Sequence, residues 1–166
     1  MKHLSILLLL FLFAENSFAQ KNLDQLLQAY NSYSIPYISV QELRMFQLND
    51  TVIILDAREP DEFAVSHIKT ALNVGYNDFH SEEKQLQKLN KNIPIVVYCS
   101  VGIRSEKIGE KLKKIGFTNV KNLYGGIFEW KYKGYPVIDP AGKNTENIHV
   151  FSKHWSSYLN AGNPVY

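Results

Sequence analysis

The sequence predicts an α/β fold, a mostly parallel sheet flanked by helices on both faces, and three observations carry that expectation. Thr51 to Leu55 and Ile93 to Tyr98 are β-branched and apolar runs without polar alternation, the pattern of strands covered on both sides. Helical stretches accompany them, over Asp78 to Leu89 and Arg104 to Ile115. Strands that alternate with helices imply right-handed crossovers and therefore parallel neighbours.

The N-terminus has the make-up of a secretory leader. Lys2 supplies a positive start, Ile6 to Phe13 an apolar run of eight residues, and Ser17-Phe18-Ala19 a small-x-small cleavage signal. Spanning a bilayer takes about 20 apolar residues, so the expectation is a removable signal peptide over 1–19 and no stable membrane insertion afterwards. The protein is then exported, to a periplasm or the cell exterior. What remains is the length of one ordinary domain.

Leu23, Leu26, Leu27 and Tyr30 recur at helical spacing, which predicts an amphipathic helix over Asn22 to Tyr33. The Ser34-Ile35-Pro36 break ends it, so residues 20–36 form a helical extension. Tyr37 to Val40 follows as a short strand. Ser39 is placed to cap a helix reaching Leu48, with Glu42 completing a capping box. After the turn at Asn49-Asp50 come the first buried strand, the helix near Asp78 and the second buried strand. The last helix ends at Gly116, where a left-handed glycine is favoured, and Val120 to Leu123 supplies another strand. The expected domain spans residues 37–138. Residues 139–166 read as a Gly-, Pro- and Asn-bearing linker and an aromatic tail. In that tail Phe151, Trp155 and Tyr158 stand at helical spacing. Two uses fit such a face, docking on the domain or binding a partner.

Eighteen basic residues against sixteen acidic ones leave a net charge of +2. Nothing in that balance points to nucleic acid or a membrane surface, and the lysines between Lys107 and Lys121 fit a solvated helix face. His80, His149 and His154 show no ligand spacing with carboxylates or further cysteines, so neither a metal nor a cofactor is expected. The chain has one cysteine, Cys99. An exported protein ordinarily pairs its cysteines; a lone one is either a buried filler or a reactive group.

Its surroundings decide between them. Cys99-Ser100-Val101-Gly102-Ile103-Arg104-Ser105 joins a strand end to a helix start. A helix N-terminus presents unpaired N–H groups and about half a positive charge. Loop amides curling inward would deepen that into a concave anion site. A thiol there ionises more readily than a free one. Gly102 lets the backbone turn tightly, Arg104 adds a forked cation, and Ser105 can cap or donate. Open α/β sheets gather functional groups at the carboxyl ends of strands, which puts Asp56 and Arg58 beside this loop as supporting residues. Arg58 can pair with Glu62 to hold the turn or take a direct part in binding; His67 is expected to orient a turn. Trp130, Tyr132 and Tyr135 read as packing.

The cysteine, four residues, then arginine resembles the active-site loop of rhodanese-like domains. The resemblance extends to Asp56-Ala57-Arg58-Glu59 with Glu62, to His67-Ile68, and to Ala71-Leu72-Asn73. It also takes in Gly116-Phe117 with Val120, and Leu123-Tyr124-Gly125-Gly126-Ile127-Phe128-Glu129-Trp130, covering about residues 38–138. Two positions depart from the family pattern: Ser66 and Thr70 stand where glycine is frequent. The resemblance implies a five-stranded parallel sheet and a sulfurtransferase. Cys99 would carry sulfane sulfur from a small donor such as thiosulfate to a thiol or cyanide, through a persulfide stabilised by the loop from Ser100 to Ser105. No cofactor is implied. A carrier or protein-binding module that serves a protein sulfur acceptor without turnover is the alternative. Phosphatase and arsenate-reductase relatives carry a loop one residue longer than the six from Cys99 to Arg104, which places them behind both.

Overall fold

The computed structural model describes residues 23–79 and 84–166. The expected signal peptide over 1–19 and His80 lie outside the described residues. Five parallel strands form the central sheet in the order β1-β5-β4-β2-β3. These are β1 (Tyr37–Ile38), β2 (Ile53–Asp56), β3 (Leu72–Asn73), β4 (Ile95–Tyr98) and β5 (Val120–Leu123). Helix α1 covers residues 23–30, and α2 (Val40–Leu48) starts from Ser39 with the expected capping box. There Ser39 Oγ accepts the Glu42 N–H at 3.2 Å and the Glu42 carboxylate accepts the Ser39 N–H at 3.0 Å.

Several short elements were not foreseen, among them α3 (Pro60–Val65) and β3. Within the stretch expected as a helix over Asp78 to Leu89, the described helical part is α4 (Lys84–Gln87). Helix α5 (Ile103–Lys114) begins after Gly102 at φ +108° and is followed by Gly116 at φ +98°. Helix α6 (Gly126–Tyr132) follows β5 directly.

Side chains alternate between the two faces of the sheet. Ile54, Val96, Tyr98 and Leu123 join the core beneath α1, α2 and α6. Leu55, Ile95, Val97 and Val120 join the core beneath α4 and α5. The fully buried character of β4 explains why its sequence lacks polar alternation. Asp56 pairs in register with Tyr98, so the turns after β2 and β4 leave the same edge side by side.

The span read as a linker carries strand structure. Strand β6 (Val137–Ile138) pairs antiparallel with β7 (Asn144–Thr145), and β8 (Asn147–His149) pairs parallel with β9 (Asn163–Val165). Ile148 and Val150 are fully buried, Ser66 Oγ donates to the Asn147 carbonyl at 2.6 Å, and Lys131 pairs with Glu146 at 2.6 Å. The tail is therefore docked. Its expected helical face is shorter than the spacing suggested: α7 covers only Lys153–Ser156, and Phe151 precedes it at φ +60°. Trp155 and Tyr158 do pack on the core.

Candidate active site

Cys99 lies one residue beyond β4, and the chain then turns through Ser100, Val101 and Gly102 into α5. Its Sγ accepts the Gly102 N–H at 3.2 Å, with Ser105 Oγ 3.5 Å away. The left-handed backbone of Gly102, at φ +108°, turns the chain from the loop into α5. A Cβ there would also crowd the Leu123 carbonyl at 3.3 Å. Two amide side chains pin the turn by donating to the Gly102 carbonyl, Asn122 at 2.8 Å and Asn31 at 2.9 Å. With its NH₂ so engaged, Asn122 turns its Oδ1 to the Ser105 hydroxyl at 2.7 Å. Ser105 has one proton and two acceptors; the nearer bond is formed, and a sulfur anion would compete for that proton.

The paired glycines after β5 act on the same loop from behind. At φ +68° and +55°, Gly125 and Gly126 let α6 start against the loop backbone, where a Cβ on Gly126 would collide with the Cys99 and Ser100 carbonyls. The amides of Ile127 and Phe128 donate to those carbonyls at 2.9 and 3.1 Å. This draws the carbonyl oxygens away from the sulfur and spends the N-terminal donors of α6 on holding the loop.

Burial pushes the Cys99 thiol up, and the Arg104 charge, the Ser105 hydroxyl and backbone bonds and the Gly102 amide outweigh it, so its pKa lies below the ordinary thiol value. Ionisation of Cys99 is thus favoured by the fold. Arg104 in turn is clamped. Its two terminal nitrogens donate to Glu62 at 2.7 and 2.8 Å, and one also reaches Ser100 Oγ at 3.2 Å. Glu62 is buried, which by itself raises a carboxyl pKa, yet the Arg104 hydrogen bonds and charge hold it below the usual range.

Arg58 does not pair with Glu62, the partner that proximity in sequence suggested. It forms a fully sealed pair with Asp56, bonding through Nε at 3.0 Å and Nη2 at 2.7 Å, and donates to the Ser66 carbonyl at 2.7 Å. The short side chain of Asp56 is fixed by its own strand end and accepts the Arg58 backbone N–H at 2.9 Å. Glu62, projecting from α3, is left to reach across to Arg104. His67 stacks on Phe63 at 3.8 Å and faces the Phe63 carbonyl at 3.2 Å, away from the sulfur.

A pocket of about 190 Å³ opens over Cys99, lined by Ser100, Val101, Ile103 and Arg104 and roofed by Tyr30, Phe151 and Trp155. Of the expected site residues, Cys99, Ser100, Val101, Ile103 and Arg104 border this space; Gly102 and Ser105 touch the sulfur from within the wall. Asp56 and Arg58 do not reach it and serve as scaffold. Among the described residues no group of three His, Cys, Asp or Glu side chains is placed to hold a metal.

The sequence model of the rhodanese-like domain matches residues 39–133. This chain belongs to the rhodanese-like family. A tRNA uridine(34) hydroxylase from Pelagibacter ubique is 40% identical over 84 residues, 50% of this chain and 28% of that protein. A protein of the same name from Listeria welshimeri is 32% identical over 142 residues, 78% of this chain and 40% of its own length. This chain therefore spans less than half of either relative. Among solved structures, a rhodanese-related protein from Thermoplasma volcanium superposes with a TM-score of 0.53 at 29% identity, covering 62% of this chain and 97% of that one.

In the rhodanese-like site, sequence reasoning did not anticipate Glu62 as the partner of Arg104, the two asparagines on the Gly102 carbonyl, or the aromatic roof. A carboxylate on a helix opposite the loop arginine was the available signal for the first. The roof residues come from both flanks of the family-matched span, and no local pattern joins them.

Proposed function

We propose that this protein is a sulfurtransferase whose Cys99 carries sulfane sulfur as a persulfide. One observation supports this reading above the rest: Cys99 Sγ accepts an amide hydrogen bond at the mouth of α5, on the floor of an open pocket, with its ionisation favoured. With a donor such as thiosulfate, the thiolate attacks the outer sulfur. The S–S bond breaks and sulfite leaves with the electron pair. The persulfide anion that remains is stabilised by the Gly102 amide already bonded to Sγ and by the Ser105 hydroxyl, once its proton turns from Asn122 to the sulfur. A thiol or cyanide then takes the terminal sulfur and restores the thiolate. Asp56 and Arg58 support the neighbouring turn, and no proton transfer in this sequence calls on them.

The test incubates the purified protein with thiosulfate and cyanide and follows thiocyanate, beside intact-mass analysis for one added sulfur atom on Cys99. Wild type gains the sulfur and turns over, while Cys99→Ser does neither; equal rates for the two proteins would remove the reading. A loaded Cys99 without turnover assigns the chain to sulfur carriage for a protein acceptor instead.

The names of the curated relatives favour a second reading, in which tRNA is the molecule acted upon. A net charge of +2 offers little general attraction for a polyanion. The leader pattern supports export, and an exported protein does not meet tRNA, so location separates the two readings. Fractionation that finds the mature protein, starting near Gln20, outside the cytoplasm supports sulfur transfer; cytoplasmic protein that modifies tRNA uridine supports the second.

A further inference from the structure

The roof over Cys99 belongs to neither the sheet nor the loop. Tyr30 comes from α1 and Phe151 and Trp155 from the C-terminal tail, all outside the family-matched residues 39–133. These segments are fastened in place. Leu26 and Leu27 of α1 are buried, and the Tyr30 and Trp155 rings meet at 6.5 Å between centroids. Phe151 holds φ +60°, uncommon for a bulky side chain, with its N–H donated to His149 Nδ1 at 3.0 Å. That conformation sets its ring over the Arg104 guanidinium at 5.5 Å. A bulky residue in the left-handed region is strained and persists where the surroundings impose it.

Charge tells the same story. Among the described residues lining the pocket, Arg104 is the cation, and both of its terminal nitrogens are engaged by Glu62. A small dianion entering beside an ionised Cys99 meets a cation already shared with Glu62 and walls of Val101, Ile103 and three aromatic rings. A flat apolar group attached to the sulfur finds ring faces and aliphatic contacts instead.

Resting on the sulfur-transfer reading, we propose that Tyr30 and Trp155 are specificity residues that select an organic sulfane donor bearing an aromatic or comparable apolar group over inorganic thiosulfate. With benzenethiosulfonate, the Cys99 thiolate attacks the outer sulfur, the S–S bond breaks, and benzenesulfinate leaves with the electron pair. The rings of Tyr30 and Trp155 hold the phenyl group while the sulfur reaches Sγ.

The experiment measures kcat/KM for benzenethiosulfonate and methanethiosulfonate, which share charge and reaction, and for thiosulfate. It compares the wild type with Tyr30→Ala, Trp155→Ala and Trp155→Leu. Taking the ratio of two donors on one preparation cancels any unfolded fraction. The phenyl-to-methyl ratio falls about tenfold in each alanine variant, mainly through KM, and less in Trp155→Leu, which keeps apolar bulk. A ratio unmoved by all three substitutions overturns the selection. So does a wild type that uses thiosulfate better than benzenethiosulfonate. If no donor loads Cys99, the sulfur-transfer reading falls and takes this one with it, a result distinct from loading without preference.

Discussion

Two arginines at the same edge of the sheet, Arg58 after β2 and Arg104 after β4, each grip a carboxylate through two nitrogens, yet they do different work. The Arg58–Asp56 pair is sealed from solvent on both sides, whereas Arg104 keeps 20% of its side chain exposed at the pocket wall. Burial separates them. A sealed pair holds a turn because losing either partner leaves a charge without solvent or counter-ion. A pair at the rim can shift, and the charge of Arg104 is still felt by the Cys99 sulfur. The same chemistry thus makes a strut in one place and an electrostatic control in the other.

The sharpest way to break this comparison is Asp56→Ala, which strands the Arg58 guanidinium in the core. Stability should fall by about 3–5 kcal/mol in urea unfolding. A loss below about 1 kcal/mol would mean that Arg58 has found water or another partner.

Glu62→Gln should cost less, about 1–3 kcal/mol, because Arg104 can turn to solvent. Its main effect is on Cys99: with the Arg104 charge no longer compensated, the thiolate forms at lower pH. Alkylation rate against pH should show its midpoint moving down in Glu62→Gln and up in Arg104→Ala. An unmoved midpoint in both would confine Arg104 to structure.

The wild-type pH dependence carries the same sign. Both Cys99 and Glu62 have folded values below their ordinary ones. Their contribution to stability is therefore present above the unfolded-state pKa and fades as pH falls through the folded one. Urea titrations in wild type and Glu62→Gln should lose stability on acidification, the variant by the smaller amount; parallel curves would sink the assignment to Glu62.

The smallest effect concerns the turn that serves Arg58. Of the two positions that depart from the family's frequent glycines, Ser66 at φ −170° is extended and sterically content, but Thr70 lies at φ +70°. A β-branched residue there is strained, so Thr70→Gly should raise stability by about 1 kcal/mol, leaving the alkylation profile of Cys99 unchanged. A loss of stability would show that the threonine side chain contributes more than its backbone costs.

By itself the sequence determined the sheet interior, the capped start of α2, the length of the cysteine loop and the glycines that flank α5, Gly102 and Gly116. Each is written in neighbouring residues: buried strands lose polar alternation, caps need an oxygen at one place, and tight turns need a missing Cβ. The two-residue strands β3 and β6 lie in stretches that hold too little pattern to be read that way. Only the tertiary structure decided that Glu62 would hold Arg104 while Asp56 took Arg58, and that rings from the two flanks of the domain would line one pocket with the sulfur. Such pairings depend on which surfaces the fold brings within a few ångströms, a distance that periodicity along the chain does not encode.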